Sequence, residues 1–183
     1  RLVEFQSETG GNRSTPGAPR VAADFPTTIH LRLTNTNGTL TAAYSADGTA
    51  WTNVTGSTAL KTGAGTRIGL MAAGDLGTTP VSAKVDSFTI TPDGTASTVA
   101  ANDEFDGTTL NGCKWTVTNP NPALAKVEDG KWKVTTTNAD FYQTGNDAVP
   151  NILTTAQPAG NWVLETKVKI DAQLMYQQAG IIV

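Results

Sequence analysis

Cys113 is the only cysteine among these 183 residues, so no disulfide can close within the chain and a small oxidised scaffold is excluded. His30 is the only imidazole that could pair with that thiol. The expectation is therefore that Cys113 is a small buried hydrophobe and not a nucleophile. Charge is scarce too. Asp, Glu, Lys and Arg make up 16% of the chain, against roughly 25% in an average soluble domain. The formal net charge of -3 carries no basic cluster, which argues against nucleic acid and against a membrane surface as partners. No apolar run is long enough to span a bilayer, and no window sustains the 3.6-residue apolar period of a long helix.

What the chain does have is period-2 alternation punctuated by turn dipeptides. Ile29, Leu31 and Leu33 alternate with His30, Arg32 and Thr34, the pattern of a strand with one buried face. Asn37-Gly38 supplies the left-handed conformations of a tight hairpin, and Leu40, Ala42 and Tyr44 return. Asp47-Gly48 marks a second turn before Trp51 and Val54. Strands are further predicted around Ile68–Met71, Val81–Ile90, Trp115–Val117, Trp132–Val134, Trp162–Ile170 and the final Gln177–Val183. Val85 and Phe88 cannot share a face in strict alternation, which predicts a bulge near Asp86. Trp51, Trp115, Trp132 and Trp162 all sit in strand patterns and are expected in the core.

Several stretches together are similar to one family. They are Asp103-Glu-Phe-Asp-Gly107 with Trp115, Gly160-Asn-Trp-Val-Leu-Glu165, Gln178-Ala-Gly-Ile-Ile-Val183, Tyr44-Ser-Ala-Asp-Gly48 with Trp51, Ile68-Gly-Leu70 and Val85-Asp-Ser-Phe88. On these the chain resembles the concanavalin-A-like accessory domain found at the C-terminus of bacterial beta-xylosidases and in actinobacterial multidomain secreted proteins. The resemblance implies an all-β, jelly-roll antiparallel β-sandwich and a secreted, extracellular protein. It also exposes a rotated order, because residues 103–183 match a first half and residues 1–91 a second half. A circular permutation, a cut across two tandem repeats and a fragment completed by another chain all remain open. The expected organisation is one sandwich from residues 1–91 and 103–183 joined by connector 92–102. Its sheet edge near Arg1 and Val183 is incomplete and open to a peptide or β-strand. The chain reads as excised from a longer precursor.

No Ser-His-acid arrangement or metal-hydrolase motif is present, and the carboxylates stand beside glycine and asparagine as turn formers. A noncatalytic role is expected. Sugar binding uses an aromatic ring as an apolar platform with amides and carboxylates beside it. Tyr142, flanked by Asn138, Asp140, Gln143 and Asn146, is the densest such neighbourhood, and Tyr176 with Gln178 is the next. The functional expectation is a carbohydrate-binding or carbohydrate-associated module taking a polysaccharide or glycan. The alternative is a structural or adhesive protein-interaction domain. Asp103 and Asp86 are the candidate ligands of a structural calcium ion, the resembling sandwiches often carrying one; otherwise they are hydrogen-bonded turn carboxylates.

Overall fold

The computed structural model describes residues 2–9, 12–14, 20–22, 26–74, 79–92, 102–141, 148–174 and 176–183. The strands run in chain order β1 (Leu2–Glu4), β2 (Ser7–Thr9), β3 (Asn12–Ser14), β4 (Arg20–Ala22), β5 (Thr28–Thr36), β6 (Thr39–Ser45), β7 (Thr52–Ala59) and β8 (Arg67–Ala73). They continue as β9 (Ser82–Pro92), β10 (Thr116–Thr118), β11 (Ala125–Val127), β12 (Trp132–Thr135), β13 (Ile152–Ala156), β14 (Trp162–Ile170) and β15 (Gln178–Ile182). No helix is present among the described residues. Two antiparallel sheets carry the fold. One has seven strands in the order β11-β12-β9-β14-β5-β6-β7, and the other has four in the order β10-β13-β8-β15. β1 with β4 and β2 with β3 form two-stranded ribbons.

Alternation decides which face of each strand is buried. Along β14 the burial runs Trp162, Leu164, Thr166 and Val168 on one side against Val163, Glu165, Lys167 and Lys169 on the other. Those inward side chains join Leu33, Leu40, Val85, Phe88 and Ile90 from the same sheet and Ile68, Leu70 and Leu153 from the four-stranded sheet in one hydrophobic cluster. A sheet with one apolar face needs a second layer over that face, and here the two sheets supply it to each other. Phe105, Trp115, Trp132, Val134 and Phe5 complete this core.

β14 lies between β9 and β5, with Leu164 opposite both Ile90 and Leu33. Strands from residues 1–92 and 103–183 are therefore mixed within each sheet, β9 lying between β12 and β14 and β8 between β13 and β15. The bulge near Asp86 is present. Lys167 faces Ser87 and the next residue, Val168, faces Val85, so Asp86 is the extra residue. Inserting it lets Phe88 and Val85 both turn inward, at 0% and 2% exposure. The turns also follow their residues, since Asn37 and Gly38 have φ of 51° and 79° and Asp129 and Gly130 have 54° and 64°.

Two expectations are corrected. Trp51 is not a core residue; it is half-buried and its ring carries the guanidinium of Arg32, 3.7 Å from the ring centroid. It sits just before β7, where the strand's inward position is taken by Val54. Cys113 is exposed. It occupies a turn whose backbone is held by Asn111, the Oδ1 of which accepts the Cys113 N–H at 2.9 Å, and a turn directed at solvent gives the thiol nothing to pack against.

Candidate functional site

One end of the molecule gathers loops that are distant in sequence. The end of β8 and the 137–141 loop are tied by the Gly74 N–H donating to the Ala139 carbonyl at 3.1 Å. Thr136 donates its N–H to the Val81 carbonyl at 2.9 Å, and its hydroxyl accepts the Val81 N–H at 3.1 Å. The loop before β15 is closed by Gln177. Its Oε1 accepts the N–H groups of Gln173 and Leu174 at 2.7 and 3.0 Å, while its Nε2 donates to the Thr79 carbonyl at 2.6 Å. A small cluster of Ala73, Ala139 and Val149, with Phe141 and Ile152 against it, packs beneath.

Asp140 and Gln178 meet here. The Gln178 Nε2 donates to Asp140 Oδ1 at 2.9 Å, and the same oxygen accepts the Phe141 N–H at 2.7 Å. The two neighbourhoods singled out in the sequence are thus joined by one hydrogen bond. Asn138, two residues before Asp140 in the same loop, is exposed. Tyr176 is 55% exposed, the largest value among the exposed large hydrophobics. Its φ of 69° lies in the left-handed region, which costs a bulky residue about 1–3 kcal/mol unless the surroundings impose it. The Gln177 bonds on either side of it do that. Tyr142, Gln143 and Asn146 lie outside the described residues.

The two candidate metal ligands are engaged elsewhere. Asp103 exchanges backbone hydrogen bonds with Phe88, and its Oδ1 accepts the Phe105 N–H at 2.9 Å. Its Oδ2 accepts the indole N–H of Trp115 at 2.7 Å. The carboxylate thereby holds the start of the second segment against β9, with Trp115 edge-on to Phe88 at 4.9 Å. Asp86, pushed outward by its bulge, takes Lys131 at 3.1 Å on one oxygen and Lys167 at 2.7 Å on the other. Among the described residues no group of three or more His, Cys, Asp or Glu forms that would hold a metal ion. Asp103 and Asp86, held by Trp115 and by two lysines, do not form a calcium cage among the described residues.

Burial acts to raise the pKa of Asp86, but hydrogen bonds from Lys167 and then Lys131, with both positive charges, outweigh it and hold the carboxyl below its usual range. A depressed folded-state pKa gives stability that is present above the unfolded value of about 4 and is lost as pH falls through the lower folded value. Asp86→Asn is therefore expected to be less stable than the native chain near neutral pH, by on the order of 1 kcal/mol for a half-exposed triad. Urea melts at neutral pH and well below the carboxylate range check this, since the difference must shrink on acidification. A gap that stays constant refutes it.

The sequence reading missed a further polar arrangement on the outer face of the seven-stranded sheet. Arg32 directs Nε and Nη2 to Glu165 Oε1 at 2.7 and 2.5 Å across the β5–β14 register while covering Trp51. The only sequence signal was alternation placing Arg32 and Glu165 outward; their cross-strand pairing was not readable. No family model matches the chain, and no curated protein matches it.

Proposed function

We propose that this chain is a noncatalytic, carbohydrate-associated module of a secreted protein, a concanavalin-A-like jelly roll with its halves in rotated order. The candidate sugar-binding surface is the loop end around Tyr176, Gln178, Asp140 and Asn138. The observation that carries this reading is the Gln178–Asp140 hydrogen bond, which ties a carboxylate of the 137–141 loop to the amide at the start of β15, two residues along the chain from the exposed ring of Tyr176. Such a ring stacks on the apolar face of a pyranose while the amides and carboxylate satisfy its hydroxyls. A preorganised loop also reduces the ordering cost of binding. The low-charge surface and the family resemblance support secretion. Connector 92–102 falls mostly outside the described residues.

Titration calorimetry with xylan and arabinan oligosaccharides tests the proposal. Binding without hydrolysis is expected, weakened about tenfold by Tyr176→Ala, the equivalent of roughly 1.4 kcal/mol. Tyr176→Gly is expected to lose binding in the same way yet raise the melting temperature, because glycine relieves the left-handed strain. Unchanged affinity in both variants, or polymer turnover abolished by a single Asp or Glu substitution, overturns the reading.

A second reading is favoured by the edge position of β15. In it the chain is a protein-interaction domain whose four-stranded sheet takes an added strand beside residues 178–182. The expected incomplete edge involves Val183, which is exposed; Arg1 lies outside the described residues.

A further inference from the structure

Sheet edges offer unpaired N–H and C=O groups, and proteins blunt them with short strands, charges or bulges. Three of the four edges of the two main sheets carry such a device. β10 and β11 are three residues long, and β11 bears Lys126, paired to Glu128. β7 meets β6 through a register shift and holds Gly56 at φ 105°. β15 has none of these. It pairs without interruption from Gln178↔Ala73 to Ile182↔Gly69 on one side, and among the described residues it has no strand on the other. Its sequence, Gln178-Ala-Gly-Ile-Ile182, contains neither charge nor proline. Leu174 and Val183, exposed by 39% and 41%, bracket it.

We propose that the occupant of this edge is a second copy of the same chain, the two β15 strands pairing antiparallel about a twofold axis near Gly180 and joining two four-stranded sheets into one. The proposal rests on the strand-addition reading above and names its partner. A twofold axis maps an edge strand onto its own antiparallel mate, so the surface must be self-complementary. An uncharged strand meets itself without like-charge contacts. About that axis Val183 of one copy lies opposite Gln177 of the other, so the exposed valine meets no charge there either. Tyr176 stands at the entry to β15, so glycan and self-pairing compete for that end and association is measured without glycan.

Sedimentation velocity from low to high micromolar chain is expected to show a reversible species of twice the chain mass. Amide hydrogen exchange at residues 178–182 should slow in the concentrated sample. Val183→Lys adds the missing charge and Ile182→Pro the missing edge proline; each is expected to weaken association about tenfold or more. Near-ultraviolet circular dichroism of the tryptophan core confirms that each variant is folded, and Val183→Lys, at an exposed position, keeps the test open if the proline variant is not. A chain that stays monomeric throughout, or a dimer indifferent to folded Val183→Lys, overturns self-pairing. A synthetic peptide of residues 178–183 separates the two levels. If it slows exchange at β15 in a monomeric chain, strand addition stands and self-pairing falls; if it does nothing to that monomer, both fall.

Discussion

Gly69→Ala is expected to destabilise the fold by about 3 kcal/mol or more, at the upper end of overpacking costs because only backbone lies in the way. A Cβ at this buried position would sit 1.8 Å from the Leu153 carbonyl oxygen, 2.8 Å from its carbon and 2.9 Å from the Thr154 Cα. β8 and β13 are paired here, with Thr154 opposite Gly69, so no side-chain rotation can relieve the clash. The strands must separate, or the sheet must lose the pairing that covers Ile68 and Leu70. For a chain of this size the loss corresponds to a melting temperature lower by on the order of 10 °C. Gly112→Ala is the control, because nothing lies within 4 Å of its added Cβ, and it should stay within about 0.5 kcal/mol of the native chain. Equal denaturation midpoints for the two variants would show that the close approach does not exist in solution.

Phe88→Ala is expected to cost about 3–5 kcal/mol, the range for emptying a fully buried aromatic site. Phe88 is 0% exposed, meets Trp115 edge-on at 4.9 Å, and exchanges backbone hydrogen bonds of 2.8 and 2.9 Å with Asp103. The removed ring belongs to the first segment and the groups it supports to the second. We propose that both segments unfold as one cooperative unit, so tryptophan fluorescence and far-ultraviolet dichroism should report a single, coincident transition shifted to lower denaturant. Separate transitions, with only one moved by the substitution, would mean two independently folding halves.

The candidate site was partly legible in the sequence. Tyr176, Gln178, Asn138 and Asp140 stood out by type, since an aromatic ring among amides is a local pattern. That Asp140 and Gln178 touch was not legible, because the bond joins the 137–141 loop to the first residue of β15, whose position is set by its pairing with β8. Asp103 and Asp86 were visible as carboxylates, but their partners, Trp115 and the two lysines, are supplied by neighbouring strands. β13 was missed although Leu153 is fully buried. Five residues give too short a window for period-2 alternation to stand out, and its neighbours in the sheet, not its own sequence, hold it in place.

The sequence by itself determined what one strand can know about itself. The alternation in β5 and β14 set their buried faces, Asn37-Gly38 and Asp129-Gly130 set their turns, and the Val85–Phe88 spacing required an extra residue at Asp86. Tertiary structure decided which strands are neighbours: β14 between β9 and β5, Trp51 outside under Arg32, and Gly69 where no side chain fits. The physical reason is range. Backbone sterics and alternation act over a few residues, whereas pairing and layer packing depend on groups brought together only when the whole chain has closed.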